Sequence, residues 1–233
     1  MLDAGYPVNV HAVHDRPALL FMRGELTADD QSSIAIVGSR HPTPEGVAHA
    51  RRLSTELSES GHVIASGLAT GIDAAAHMAA LDSGARTLAV IGTGVDRVYP
   101  AAHAALQRTI AARGAVVSCF WPDQRPTRQS FPIRNGLMSG LTLATVIVEA
   151  SPTSGTRVQA RRALAHGRPV FLAPGLVSQQ WARELAERPN VHVTDDAGEI
   201  AATIERQQAS RPLTDGENRC PRSGEIRCPR SPT

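Results

Sequence analysis

Small and hydroxyl-bearing residues cluster in five short segments, and each segment follows an apolar run as long as a β-strand. Glycine lets the backbone approach a ligand, and the unpaired N–H groups of a following helix favour anionic oxygens. Tight turns between strands and helices are the alternative role of such glycines. The segments indicate a groove that could bind phosphate, because they also supply hydroxyl groups from Ser39, Ser66, Thr70, Ser154 and Thr156. They are GSR (38–40), SGLATGID (66–73), GTG (92–94), VEASPTSGT (148–156) and APG (173–175).

Two arginines and one aromatic residue stand where they could face this groove. Arg40 ends the first segment, and FPIRN (131–135) follows a proline-rich loop. An exposed aromatic beside arginines suits single-stranded nucleic acid, whose bases stack and whose phosphates are neutralised. Surface ion pairs for the arginines and core packing for Phe131 are the alternatives. We expect Phe131 to be extended because a proline follows it, and a helix to start at Arg134 and Asn135.

The elements that must hold these segments together are predicted by the hydrophobic pattern. From Ser33 to about Gln207, apolar runs alternate with helical patterns, which is typical of a parallel sheet covered by helices. In such a sheet, ligands bind outside the carboxyl ends of the strands. We therefore predict an α/β fold with a doubly wound, mostly parallel, Rossmann-like sheet and helices on both faces. The strand-forming runs are IAIVG, HVIAS, TLAVIG, AVVSC, ATVIVEA, PVFLAP and VHVT.

The first helix shows how its boundaries follow from residue type. Thr43 can act as the N-cap, and Pro44 fits the first turn because its missing N–H is not needed there. Gly61 can end the helix in a left-handed conformation. The face that packs on the sheet comprises Val47, Ala50, Leu53 and Leu57, at helical spacing. Comparable helices are predicted at about 72–83, 101–113, 156–166, 178–187 and 197–208.

Three regions are predicted along the chain. Residues 1–32 form a lead-in with one strand, ALLFMRG, and residues 33–208 form the Rossmann-like domain. Residues 209–233 are rich in Arg, Pro, Ser and Gly and have little to bury, so we expect this tail to be disordered.

Composition and charge narrow the function classes. The net charge is only +2, and all 24 basic residues are arginine, a choice that genomic codon bias would also produce. Three scattered cysteines do not make a disulfide framework or a zinc site. No apolar stretch approaches the ~20 residues of a membrane helix, and the N-terminus lacks the order of a signal peptide, so we expect a cytoplasmic protein. We predict that His77 is a packed residue and that the chain binds no metal and no cofactor.

Several longer motifs carry a family resemblance. The chain contains AIVGSRHPTPEG, SGLATGIDAAAHMAAL, GTGVDRVYP, FPIRN and IVEASPTSGT. With these motifs it resembles the DprA/Smf family of DNA-processing proteins over roughly residues 6–176. The resemblance implies a non-enzymatic protein that binds single-stranded DNA in a basic pocket, forms a homodimer and helps to load RecA recombinase.

Carried over to this sequence, the family pattern implies eleven site residues. Those of GSR and FPIRN would contact DNA, those of SGLATGID would shape the pocket, and those of the last motif would line it. The set is Ser39, Arg40, Gly67, Gly71, Asp73, Phe131, Arg134, Asn135, Ser154, Gly155 and Thr156.

Two departures and one rival function remain open. Cys119 stands where the family usually has Glu, and Arg157, Val158 and Gln159 replace the usual residues after SGT, which puts a role in transformation in doubt. The related lonely-guy phosphoribohydrolases carry PGGxGTxxE, with a catalytic glutamate shortly after Gly-Thr. No carboxylate follows Gly-Thr here, although Glu149 or Asp73 could substitute, and a nucleotide sensor without catalysis is a third possibility. No GxGxxG follows the first strand and no P-loop occurs.

Overall fold

A computed structural model of the chain describes residues 6–151 and 154–210. Its strands form one eight-stranded sheet in the order β1-β5-β4-β3-β2-β6-β7-β8. The strands are β1 Phe21–Gly24, β2 Ile34–Val37, β3 Ile64–Ser66, β4 Thr87–Val90, β5 Ala115–Ser118, β6 Ala144–Ile147, β7 Val170–Leu172 and β8 Val191–Val193.

Helices connect these strands in the alternating pattern that the sequence predicted. The α-helices are α1 Val8–His11, α2 Pro44–Glu59, α3 Ile72–Asp82, α4 Ala104–Arg113, α5 Ser130–Leu141, α6 Thr156–Ala165, α7 Gln180–Ala186 and α8 Ala197–Ala209. Short 3-10 helices cover Ala28–Ser32, Ala101–His103 and Pro174–Ser178. None of the helices in the described ranges is both long and apolar enough to cross a membrane.

The sheet is parallel except at one edge. Strands β2 to β8 pair parallel to their neighbours, whereas β1 pairs antiparallel to β5, with Phe21 opposite Ser118. The chain adds β3, β4 and β5 on one side of β2 and then returns to place β6, β7 and β8 on the other. The strand order therefore reverses between β2 and β6, and a crevice is expected outside the carboxyl ends of these two strands.

Successive side chains of the central strands point to opposite faces of the sheet and pack in two separate hydrophobic cores. Ile34 and Ile36 of β2 pack in the core that α2, α3 and α8 cover, while Ala35 and Val37 pack in the core that α5, α6 and α7 cover. All four side chains are buried, and fully burying a side chain such as Ile contributes about 1.5–3 kcal/mol. Helices thus lie on both faces of the sheet, and the predicted fold class is confirmed.

Helix α2 begins and ends as its sequence predicts. The Thr43 hydroxyl accepts a hydrogen bond from the Gly46 N–H at 3.0 Å, and Pro44 is the first helical residue. Gly61 has a φ of +84°, a left-handed conformation that glycine adopts without strain.

The start of α5 differs from its prediction. The helix begins at Ser130 rather than at Arg134 and Asn135, so Phe131 lies in the first helical turn instead of an extended segment. Pro132 is tolerated there because the first-turn N–H groups of a helix have no intrahelical partner. Because Phe131 is part of the helix, the orientation of its side chain relative to the other residues of α5 is set by helical geometry.

The lead-in, residues 1–32, contributes a strand to the sheet, whereas most of the predicted tail is not described by the structure. The strand predicted in the lead-in is present as β1 at the sheet edge, and Arg86 binds the buried Asp30 carboxylate through two hydrogen bonds of 2.7 and 2.8 Å. At the other end Ala209, placed in the tail by its sequence, is the last residue of α8. Residues 211–233, for which disorder was predicted, lie outside the described residues.

Candidate functional site

A cavity of about 540 Å³ opens outside the carboxyl ends of β2 and β6, where the strand order reverses. Its walls come from the loops after β2, β3 and β6 and from the first turns of α5 and α6. Nine of the eleven predicted site residues line it: Ser39, Arg40, Asp73, Phe131, Arg134, Asn135, Ser154, Gly155 and Thr156. The sequence motifs therefore converge on one site, although they are up to about a hundred residues apart in the chain.

The two remaining predicted residues, Gly67 and Gly71, lie behind the cavity wall. A Cβ atom on Gly67 would stand 1.7 Å from Nη1 of Arg134. Gly71 has a φ of +80°, and a Cβ there would stand 2.3 Å from the carbonyl oxygen of Ser39. Both glycines thus leave room for residues that line the cavity, while their role in a DNA pocket stays a prediction.

Arg134 is buried, with only 6% of its surface exposed. Its Nη1 donates to the carbonyl oxygens of Gly67 and Val90 at 2.7 and 2.9 Å. Its Nε donates to Oδ1 of Asn135 at 3.0 Å. Gly67 and Val90 lie at the carboxyl ends of β3 and β4, so this one side chain fastens α5 to both strand ends. A surface ion pair is excluded by this burial, while a DNA contact by Arg134 stays a prediction.

Asp73, in the first turn of α3, faces Arg134 inside the same region. Its carboxylate accepts hydrogen bonds from the N–H groups of Gly67 at 3.2 Å and Ala69 at 3.4 Å. Burial raises the pKa of Asp73, an effect that the positive charge of Arg134 opposes. Burial likewise lowers the pKa of Arg134, and the Asp73 carboxylate opposes that shift. Both side chains line the cavity, where each opposes the effect of burial on the pKa of the other.

The exposed Arg40 and the half-buried Phe131 form the rim of the cavity. The Arg40 guanidinium carbon lies 5.4 Å from the centre of the Phe131 ring, within the range of a cation–π contact. Phe131 also packs at 5.8 Å against the half-exposed ring of Tyr99, and it lies over Gly92, whose added Cβ would be 2.9 Å from the ring. Among the described residues, no hydrogen bond engages the Arg40 guanidinium, so this charge is available to a ligand.

The opposite wall is built around the start of α6. The Ser154 hydroxyl accepts hydrogen bonds from the N–H of Thr156 at 3.2 Å and from its hydroxyl at 3.0 Å. Asn135 Nδ2 donates to the Gly155 carbonyl at 3.4 Å and so joins this wall to α5. Hydroxyl, amide and backbone groups dominate here, and these can donate hydrogen bonds to phosphate or base atoms.

Sequence reasoning missed several residues of the lining. Gln159 is 1% exposed, and its Nε2 donates to the Thr145 hydroxyl at 3.2 Å. It lies three residues after Thr156, and Met138 lies four residues after Arg134, so helical spacing would have placed both on the cavity side of their helices. Gly38, Ala69 and Ser151 lie in segments that the sequence predicted to line the groove, so the residues that were missed are Val37, His41, Met138 and Gln159.

Glu149, a possible catalytic carboxylate from the sequence, is used at the start of α2. One carboxylate oxygen accepts the Thr43 hydroxyl at 2.7 Å, and the Thr43 backbone N–H donates to both oxygens at 3.1 and 3.2 Å. A negative charge at a helix N-terminus is stabilised by the helix dipole. Glu149 therefore joins the end of β6 to α2, and it does not line the cavity.

A histidine and aspartate cluster joins the lead-in to α5 and α6. Ligand atoms of His14, Asp15 and His166 lie within 4.8 Å of one another, a spacing that could hold a metal ion. The Asp15 carboxylate already accepts hydrogen bonds from His166 at 2.7 Å and from Arg162 at 2.9 Å, while Nδ1 of His166 contacts the Ser139 hydroxyl at 2.8 Å. Sequence patterns could not predict this contact, because Asp15 and His166 are about 150 residues apart in the chain. The expectation that the chain binds no metal stays a prediction.

His77 has the packing role that the sequence predicted. It is fully buried on α3, and its Nδ1 lies 2.7 Å from the Thr87 hydroxyl, which itself donates to the Ile64 carbonyl. Burial lowers the pKa of His77 to about 3, so the ring is neutral near pH 7.

Comparison with known proteins finds the same family that the motifs indicated. The family model described as DNA recombination-mediator protein A matches residues 1–199. DNA processing protein DprA of Streptococcus pneumoniae is 41% identical over 177 residues, which cover 76% of this chain and 62% of that protein. The chain spans less than two thirds of the length of this and of another curated relative, Protein Smf of Synechocystis.

Two solved structures resemble the fold closely. The X-ray structure of DprA from Streptococcus pneumoniae has a TM-score of 0.78 at 37% identity and covers 87% of this chain and 72% of its own. A structure of DNA processing protein A from Helicobacter pylori, described for its single-stranded DNA binding mode, has a TM-score of 0.73 at 29% identity, with 86% and 93% covered. The chain therefore belongs to the DNA recombination-mediator protein A family, the DprA/Smf family that its motifs predicted.

Proposed function

We propose that this protein binds single-stranded DNA and acts as a recombination mediator. The observation that carries the proposal is the rim of the cavity, where the exposed Arg40 guanidinium lies 5.4 Å from the Phe131 ring. A phosphate would draw the guanidinium to itself, and the ring would then be open to a base. Stacking on an aromatic residue combined with phosphate neutralisation is how proteins hold single strands with little sequence preference.

The size and lining of the cavity support an unpaired nucleotide as the ligand. At about 540 Å³ it falls within the ~300–1,000 Å³ of small-molecule sites. A duplex keeps its bases stacked on one another, so an aromatic ring at the rim reaches a base face only in a single strand. The Helicobacter pylori relative, whose structure is described for its single-stranded DNA binding mode, gives independent support for this class of ligand.

Recombinase loading and dimer formation extend the proposal. We infer from the family resemblance that the protein forms a homodimer and delivers bound strands to RecA in DNA uptake, recombination or defence of mobile elements. Light scattering of the purified protein tests the dimer, and a strand-exchange assay with RecA tests the loading. A monomer that leaves RecA assembly unchanged would restrict the function to DNA binding.

Phosphoribohydrolase chemistry is the weaker alternative. A glycosidic bond is cleaved through a transition state with positive charge, which a carboxylate must face. Gln159 stands at the position of the catalytic glutamate in the PGGxGTxxE pattern and is a neutral amide. Glu149 holds the start of α2, and the Asp73 carboxylate is held by the N–H groups of Gly67 and Ala69. We therefore propose that the protein binds DNA without catalysis.

This proposal predicts that the purified protein releases no free base from nucleoside monophosphates. Chromatography of reaction mixtures measures the release, with protein-free samples as controls. Release of adenine or cytosine that disappears in Glu149→Gln would show that the carboxylate is catalytic and would contradict the proposal.

A binding titration tests the main proposal. Fluorescently labelled oligo-dT is compared with duplex DNA of equal length and with nucleoside monophosphates, at two salt concentrations. We expect the single strand to bind most tightly and to weaken as salt rises, because phosphate contacts release counterions. Equal affinity for duplex and single strand would refute the proposed pocket, and preference for a monophosphate would favour a nucleotide sensor.

A further inference from the structure

Gln159 has an unmet hydrogen-bonding group at the cavity. Its side chain lines the cavity, is 1% exposed and donates from Nε2 to the Thr145 hydroxyl at 3.2 Å. The amide oxygen Oε1 is also buried, and among residues 6–151 and 154–210 no group donates a hydrogen bond to it. Buried polar atoms of proteins are nearly always hydrogen-bonded, so this acceptor calls for a donor from outside the described residues. A ligand in the cavity can supply that donor.

Burial divides the cavity into a rim and an inner end. At the rim, Arg40 is exposed and Phe131 is half-buried. At the inner end the lining residues Val37, Met138 and Gln159 are almost completely buried. The inner end therefore combines two apolar side chains with one amide. Ligand sites commonly have this composition, in which apolar walls surround a few polar groups that fix the orientation of the ligand.

Nucleobases differ in the groups that they could present to this amide. Adenine carries an amino group at N6 and cytosine carries one at N4, and both are hydrogen-bond donors. At the corresponding place thymine carries the O4 carbonyl, which is an acceptor. An amino group would donate to Oε1 of Gln159, whereas the carbonyl would place a second acceptor against it. Leaving a buried acceptor without a donor is unfavourable, so the two kinds of base should bind with different affinity.

We propose that Gln159 is a specificity-determining residue, whose Oε1 accepts a hydrogen bond from the amino group of adenine or cytosine in the strand that the cavity holds. This inference rests on the proposed function, because the base enters the cavity as part of a bound strand. Stacking on Phe131 and phosphate contacts act on all bases alike, so the preference adds to a binding mode that still accepts every sequence. A buried water that donates to Oε1 is the competing occupant.

Oligo-dC and oligo-dU of equal length provide the test. Both are pyrimidine strands without the thymine methyl group, and at position 4 cytosine has an amino group where uracil has a carbonyl. Strands of roughly 4 nucleotides, the smallest site size of single-strand-binding modules, restrict binding to one site. The unlabelled strands compete with fluorescently labelled oligo-dT at a slightly alkaline pH that keeps cytosine neutral.

We expect the wild type to bind oligo-dC roughly two- to tenfold more tightly than oligo-dU, the contribution of one neutral hydrogen bond. Gln159→Met removes the amide oxygen but keeps a side chain of similar length, so the affinities for the two strands should become equal. Gln159→Leu, a second apolar replacement, should give the same result if the methionine variant does not fold.

Gln107→Met is the matched control. Gln107 is likewise buried, its Nε2 donates to the Arg97 carbonyl at 3.0 Å, and its Oε1 has no donor among the described residues. It lies on α4 and does not line the cavity. This variant should therefore keep the wild-type preference for oligo-dC. Circular dichroism and the melting temperature of each variant separate a lost preference from a lost fold.

Three results would overturn the inference and leave the proposed function intact. Equal affinity of the wild type for the two strands would show that water, not a base, satisfies Oε1. Tighter binding of oligo-dU would show that the cavity reads the carbonyl or the N3–H of the base instead of an amino group. A preference for oligo-dC that persists in the Gln159 variants would assign it to another residue. A wild-type protein that binds neither strand would instead refute the proposed function.

Discussion

Arg40 and Arg134 line the same cavity, yet their surroundings differ completely. Arg134 is buried and donates to the carbonyl oxygens at the ends of β3 and β4, with the Asp73 carboxylate nearby. Arg40 is exposed, and its guanidinium lies over the face of the Phe131 ring. Two residues of one type, both in motifs that follow a strand or begin a helix at this edge of the sheet, thus have different surroundings. We infer that Arg134 mainly holds the shape of the site and that Arg40 is the charge that a ligand meets.

The largest expected effect is the loss of stability on mutation of the buried arginine, Arg134. Arg134→Ala should lower the free energy of unfolding by roughly 2–6 kcal/mol, because the buried carbonyl oxygens of Gly67 and Val90 each lose a donor at a cost of about 1–3 kcal/mol. The change also removes the positive charge near Asp73. Urea denaturation measures the loss. Arg134→Ala/Asp73→Asn should recover part of it, since the second change removes the uncompensated charge. An unaltered unfolding midpoint for Arg134→Ala would contradict its structural role.

Steric crowding of the same side chain should give the next largest effect. Gly67→Ala would place a Cβ at 1.7 Å from Nη1 of Arg134, so the guanidinium must move away from its carbonyl partners. We expect destabilisation of about 1–3 kcal/mol, the usual cost of overpacking. Gly155→Ala is the matched control, because a Cβ there meets nothing within 4 Å. Equal melting temperatures for the two variants would show that Arg134 relaxes without loss.

At the rim of the cavity, Phe131→Ala should weaken binding of single-stranded DNA by about 1–3 kcal/mol, the contribution of stacking one base. The dependence on salt should stay unchanged because no charge is lost. Phe131→Tyr keeps the aromatic face and serves as the control in the same fluorescence titration. If Phe131→Ala binds as tightly as the wild type, the ring serves packing against Gly92 and Tyr99 instead.

The smallest expected effect concerns Arg40. Arg40→Ala should lower the magnitude of the slope of log K against log salt by roughly 0.7, the value for one single-strand phosphate contact. The melting temperature should not change, since the guanidinium makes no hydrogen bond with the described residues. Arg40→Lys should restore the slope because it keeps the charge. A fall in melting temperature with an unaltered slope would assign Arg40 the same structural role as Arg134.

The sequence predicted the location of the site well because parallel strands impose it. The loops that follow β2, β3 and β6, and the helices that start after them, emerge at one edge of the sheet, so Ser39, Asp73 and Thr156 line one cavity. The direction of individual side chains was harder to predict. Arg134 was expected at a helix start, but α5 begins four residues earlier and carries this side chain into the interior.

Contacts between distant segments were also beyond sequence patterns. His166 at the end of α6 meets Asp15 of the lead-in at 2.7 Å, although about 150 residues separate them. Glu149 was weighed as a catalytic carboxylate, but its position beside Thr43 makes it a partner of the α2 N-terminus. In both cases the side chains are common polar residues whose role depends on which groups the fold brings near.

The sequence alone determined the fold class, the order of helices and strands and the motif residues that converge on the cavity. These follow from hydrophobic periodicity, capping residues and glycine positions, which act over a few residues of the chain. Only the tertiary structure decided that Arg134 is buried and that Arg40 is exposed. Burial and proximity arise from packing between distant segments, and local sequence does not encode them.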